Sequence, residues 1–184
     1  MMKNDSSAAQ VSETSVPTRS RIAAQLSDAN FYDAWQTSIP DENLCALGHF
    51  IAIARQTPRW VDLCMRARNR AGQLVGLKDL GTLSAVPNDK SASAYQAGDR
   101  IGIFTVIDNT FDEALIGDED KHLNVVLSIH RQQLPNSRLV AITVTTVVHV
   151  KNWLGHLYML PVKPMHRLIT PAMLANMGRG RHET

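Results

Sequence analysis

The sequence predicts an α+β domain in which helices pack on one face of an antiparallel sheet. Apolar residues recur at helical spacing between residues 44 and 74, β-formers dominate from Arg100 to Val150, and helical spacing returns past Asn152. At 184 residues the chain has the size of one domain, able to bury a full core without disulfides or structural metals.

Residues 1–21, rich in Ser, Thr, Ala and Asn and without an apolar h-region, read as a flexible tail and not as a secretory signal. Phe31-Tyr-Asp-Ala-Trp-Gln-Thr-Ser-Ile is aromatic and β-branched, which suits a strand ending at Pro40. Leu44, Leu47, Ile51 and Ala54 trace a first helix, with Asp41 or Asn43 available as its N-cap. Trp60, Leu63, Ala67, Ala71 and Leu74 trace the expected buried face of a second, whose other face carries Arg66, Arg70 and Gln73. Arg68 lies apart from Arg66 and Arg70 around that helix, so Arg68 and Asn69 are expected to point inward or toward a partner.

From Gly81 to Gly98 no period is visible, and a long loop is expected that is suited to covering a pocket. Residues 101–107, 113–116, 122–131 and 138–150 read as an antiparallel meander. In the terminal segment Pro161, Pro164 and Pro171 are expected to break or kink the helix, with Thr170-Pro171 starting a last one. Residues 178–184 read as a frayed tail, leaving 22–177 as a single domain.

Composition narrows the function classes. A net charge of +2 from 19 basic and 17 acidic residues is too balanced for a dedicated nucleic-acid binder. Cys45 and Cys64 lack CxxC spacing, so core thiols are expected and not a zinc site or a disulfide framework. No apolar run approaches the roughly 20 residues that span a bilayer, and a cytoplasmic location is the expectation. Phosphate-loop, dinucleotide, serine-elbow and HExxH motifs are lacking, and no cofactor or metal is implied. Met159, Met165, Met173 and Met177 suit either an adaptable apolar pocket or ordinary core.

Chemistry is expected in the last third, which holds His122, His130, His149, His156 and His166. Aligning the apolar row Leu123, Val125, Leu127 and Ile129 with Val140, Ile142 and Val144 sets Val125 opposite Val144 and Leu127 opposite Ile142. Asp120 then faces His149, with His122 opposite Val147 and Asn124 opposite Thr145 on the polar face. That register makes Asp120, His122 and His149 the catalytic candidates, since opposed Cβ atoms lie about 5 Å apart. The alternative is that this polar row is the solvated outside of a one-sided sheet. His122 and His130, eight residues apart on one strand, are separated by roughly 27 Å and cannot share a metal.

An ordered set of motifs spans residues 30 to 177: Pro58-Arg-Trp-Val-Asp-Leu-Cys-Met-Arg-Ala-Arg-Asn, Gly98-Asp-Arg-Ile-Gly-Ile-Phe, Asp120-Lys-His-Leu-Asn, Thr145-Thr-Val-Val-His-Val-Lys-Asn, Gly155-His-Leu-Tyr and Pro164-Met-His-Arg-Leu-Ile. The set resembles a bacterial domain family of unknown function, itself similar to the START, polyketide-cyclase and birch-pollen-allergen-like (SRPBCC, helix-grip) superfamily. The resemblance implies a curved antiparallel sheet around a C-terminal helix with an apolar cavity between them, which fits the order of elements read above, the early helix pair included. It implies Arg68, Asn69, Asn152, Tyr158 and His166 as ligand-binding positions, beside Asp120, His122, Gly155 and Pro164. Asn124 and His156 depart from the pattern, which favours Asp and Arg there. Relatives also occur fused to a dinucleotide-binding, dehydrogenase-like domain.

The leading expectation is a binder of a small hydrophobic molecule between sheet and C-terminal helix. An enzyme of cyclase, dehydratase or isomerase type using an Asp/His pair is the rival. A third reading is an interaction partner of a separate oxidoreductase, or a homodimer, which predicts an exposed apolar patch.

Overall fold

The computed structural model describes residues 10–74, 81, 83, 84, 86 and 90–177. Its strands are β1 (Ser12–Glu13), β2 (Phe31–Pro40), β3 (Arg100–Ile101), β4 (Phe104–Asn109), β5 (Glu113–Glu119), β6 (Leu123–Gln133) and β7 (Leu139–Val150). Its helices are α1 (Ala46–Arg55), α2 (Arg59–Leu74) and α3 (Trp153–Asn176), with 3-10 turns at Arg21–Gln25 and Ala92–Ala94. The strands form one antiparallel sheet in the order β1-β2-β7-β6-β5-β4-β3, so the α+β expectation holds. The meander from β3 to β7 is closed by β2, which crosses over to pair with β7.

Period-two alternation gives each face its cover. Ile39, Ile129, Val140, Ile142 and Val144 meet α1 and the end of α3, while Leu123 and Val148 meet Met159 of α3. On the other face Leu115, Val126 and Val147 pack with Ile22, supported by Val16, Leu26 and Ala29. That second face, read from sequence as solvated, is therefore partly covered by the N-terminal segment. The Ser20 and Ser128 hydroxyls donate to the buried Glu113 carboxylate, and the Arg21 N–H donates to it at 3.0 Å. With Ser12–Glu13 paired to β2, the sheet begins ten residues before the expected domain start at 22. Residues 1–9 and 178–184 of the expected tails lie outside the described residues.

The β6–β7 register differs from the expected one by four residues. Val125 pairs with Val148 and not with Val144, Leu127 with Thr146 and not with Ile142, and Asn124 with His149. An even shift leaves every side chain on its expected face, so the apolar rows alone cannot detect it. The turn decides. Both strands run on to Gln133 opposite Val140, and Asn136 takes a left-handed φ of 54° in the connection.

Three helical expectations are corrected. Neither Asp41 nor Asn43 caps α1: the Asp41 carboxylate instead accepts the Asn43 N–H at 2.8 Å, and Cys45 occupies the cap without a side-chain bond. On α2 the expected inner face is turned outward, with Trp60 and Leu63 exposed and Val61 and Asn69 buried. The expected solvation of Arg66 and Arg70 agrees with their exposure. Third, α3 is one continuous helix through Pro161, Pro164 and Pro171. The prolines remove donors to the carbonyls of Leu157, Leu160 and Arg167. All three residues are exposed, where solvent can take up the lost bonds.

The expected loop from 81 to 98 is only partly described. Val86 and Tyr95 join the core, and the Asn109 amide donates to the carbonyls of Ala92 and Tyr95 at 2.9 Å each. Cys45 and Cys64 are free thiols, both half-buried.

Two predictions follow from this packing. A Cβ on Gly155 would stand 2.6 Å from the His122 carbonyl oxygen and 2.8 Å from Val150 Cγ1. Gly155→Ala is therefore expected to lose about 1–3 kcal/mol by chemical denaturation despite alanine's better helix propensity; an unchanged midpoint would mean the first turn of α3 is not seated on the sheet. Near the β6 end, Arg131 donates to Asp41 at 2.7 Å, and this bond, then the Asn43 N–H, holds the Asp41 carboxyl below its ordinary 3.8. A depressed folded value gives stabilisation that is present above 3.8 and fades as pH falls through the folded value. Urea midpoints of wild type and Asp41→Asn should converge below that pH, and a constant gap would show that the charge contributes nothing.

Candidate functional site

The catalytic candidates are not assembled as expected. Asp120 precedes β6, and its Oδ1 accepts the backbone N–H groups of His122 at 2.7 Å and Leu123 at 2.8 Å, closing the β5–β6 turn. His149 faces Asn124, on the sheet face away from α3, and its Nδ1 is buried without a partner among the described residues. The His122 imidazole is turned to a different partner. Its Nδ1 lies 3.1 Å from Asn152 Oδ1, which also accepts the Gly155 N–H at 3.1 Å, while Asn152 Nδ2 donates to the Lys121 carbonyl at 2.9 Å. Those two fixed amide bonds make Oδ1 the acceptor, so His122 Nδ1 carries the proton. Asn152 thus caps α3 and ties it to the β5–β6 turn.

Arg68 and Asn69 lie under α3 from the α2 side. Arg68 Nε donates to the Tyr158 hydroxyl at 2.7 Å, its guanidinium sits 5.3 Å from the Tyr158 ring centroid, and Nη1 donates to Asn69 Oδ1 at 2.8 Å. Asn69 Nδ2 in turn donates to the Gly81 carbonyl at 2.9 Å. These groups join α2, α3 and the start of the following loop.

His166 belongs to a different cluster, one absent from the sequence expectations except for that residue. It sits on the side of α3 that faces the sheet, where β2 and β7 bring Asp33 opposite Thr146. His166 Nδ1 is 3.0 Å from Asp33 Oδ2, Nε2 is 3.2 Å from Thr146 Oγ1, and the Thr170 hydroxyl lies 3.3 Å from Nε2. Trp35 Nε1 donates to the same Asp33 oxygen at 3.1 Å, and the Phe31 ring meets the imidazole edge-on at 5.7 Å. The Asp33 side chain is 1% exposed and that of His166 22%. An ionised carboxylate only accepts, so Nδ1 carries the proton and Nε2 is directed at the two threonine hydroxyls. Asp33 Oδ1 is buried with no partner among the described residues. Chemically this is a carboxylate-oriented imidazole, the arrangement that sets a histidine to exchange protons through Nε2.

A signal for Asp33 stood in the sequence. In Phe31-Tyr-Asp-Ala-Trp-Gln-Thr-Ser-Ile the acid shares its parity with Phe31, Trp35 and Ile39, placing a carboxylate in the inward row of a strand. Apart from these clusters, a groove of about 300 Å³ lies against α1, lined by Leu44, Gly48, Ile51, Arg55, Lys90, Ser91 and Ala92. It is not the expected position between sheet and C-terminal helix. Among the described residues no three His, Cys, Asp or Glu side chains are grouped to hold a metal ion, and no helix is long and apolar enough to cross a membrane.

No curated protein and no solved structure shows significant similarity to the chain. One family model matches residues 25–173, which include every residue of the Asp33–His166 cluster. The chain belongs to that family, described as protein of unknown function DUF2867.

Proposed function

We propose that the chain binds a small, largely apolar molecule between the sheet and α3, anchored by the Asp33–His166 pair. The observation that carries this reading is the unpartnered, buried Asp33 Oδ1 beside a partly exposed imidazole. A desolvated carboxylate oxygen without a donor costs on the order of 1–3 kcal/mol or more. A ligand hydroxyl or amine would remove that cost, while Phe31, Trp35 and Met159 offer the apolar body its surroundings. Arg68, Asn69, Tyr158 and Asn152 would fix the helix that closes the site and not touch the ligand's polar group.

The strand order supports a helix-grip relationship as well. The first long strand pairs with the last, two helices intervene before the meander, and the terminal helix lies over the sheet. A terminal helix over an antiparallel sheet is what the SRPBCC resemblance implies. The enzyme reading moves from Asp120 and His149 to the new pair, because a carboxylate holds the Nδ1 of His166. There, Nε2 would serve as the base in a dehydration or isomerisation.

Native mass spectrometry of freshly purified protein tests the proposal. The wild type is expected to retain a small-molecule mass, and Asp33→Asn to lower its occupancy by about tenfold or more, as for a lost bond to a charged group. A fold intact by circular dichroism in that variant separates loss of ligand from loss of structure. Repeated wild-type preparations without any retained mass, or equal retention by Asp33→Asn, would sink the idea. Turnover of the released compound by wild type but not by His166→Gln would select the enzyme over the carrier.

A further inference from the structure

Helix α3 presents an uncovered apolar row. Trp153, Leu157, Leu160 and Leu168 are 75%, 53%, 68% and 63% exposed, and Pro164 fills the interval on the same side of the helix. Large side chains contiguous along a surface helix mark contact with something apolar.

Charge identifies what that is. Between Trp153 and Asn176 there is no Asp or Glu, and Lys163 and Arg167 lie along one flank of the row, Arg167 exposed and Lys163 half-buried with its ammonium near the Asn30 carbonyl and the Phe31 ring. The neighbouring α2, joined through Arg68 and Tyr158, exposes Trp60 and Leu63 and carries four arginines against the single acid Asp62. The chain as a whole stands at only +2, so these two helices are basic and the remainder is acidic.

We propose that α3 docks this face on an anionic lipid surface, lying in the headgroup plane with Trp153 and the leucines at the acyl boundary. An exposed apolar row with a cationic flank is the form of an interfacial helix. Anionic headgroups complement the flank, whereas an antiparallel two-fold contact with a second copy would set the positive rims side by side. The expected oxidoreductase partner has no comparable charge argument on this face. This inference is separate from the ligand site, since the row points away from Asp33 and His166.

Flotation of the full chain with lipid vesicles is the test. Binding is expected to vesicles of phosphatidylcholine with about one-third phosphatidylserine, to weaken with added salt, and to fall toward zero on phosphatidylcholine alone. Arg167→Gln should reduce partitioning about fivefold, the effect of one cation near such a surface. The triple variant Leu157→Ser, Leu160→Ser, Leu168→Ser changes only exposed positions and should lose vesicle binding while keeping its helical circular dichroism. Failure of the wild type to float with anionic vesicles overturns the proposal, as does equal flotation of the triple variant. A wild-type dimer that the triple variant dissociates, without vesicle binding, would assign the face to a second copy instead.

Discussion

The ten-residue pairing of β2 with β7, from Phe31 opposite Val148 to Pro40 opposite Leu139, is the constraint on which the rest depends. It joins the first long strand to the last and so adds β2, with β1 beyond it, to the meander. Because β7 leads within three residues into α3, the same pairing fixes where that helix starts. Gly155 then lets the first turn of α3 come against the His122 carbonyl, and Asn152 holds it there. A helix anchored at that end passes over β2, and His166 reaches Asp33 fourteen residues after the cap.

The Asp33–His166 pair is therefore a product of long-range topology. Its members are 133 residues apart, so nothing local in the sequence pairs one with the other. Burying a carboxylate in an apolar layer is expensive unless several donors meet it. Among the described residues two donors, from His166 and Trp35, meet one oxygen and none meets the other, so one side of the group is unmatched there. Such unmatched polarity in a core is weak evidence for stability and stronger evidence of a role.

Much of the fold was legible because its signals are local. The strand at Phe31, both early helices and the meander follow from periodicity, and Arg68 with Asn69 could be placed inward by counting around a helix. Register was not legible: a sheet with alternating faces is insensitive to a slip of four residues, and only the Pro135-Asn136 turn resolves it. The inverted face of α2 has a different cause. Its apolar row of Trp60 and Leu63 is real, but on this helix it lies outward, so periodicity identified an amphipathic helix without saying which side was the core. Asp33 was passed over because a single acid in a strand carries no motif.

The prolines of α3 have a wider meaning. Each fixes a backbone angle and leaves a carbonyl without its helical partner, and these carbonyls belong to Leu157, Leu160 and Arg167, on the outward side. Along the apolar row, then, stand three acceptor oxygens. Sinking this side of the helix into hydrocarbon, or sealing it against a dry protein surface, would strand them. Whatever covers the helix must leave water or bring N–H or O–H donors to it, which sets a shallow limit on how deep any contact can go.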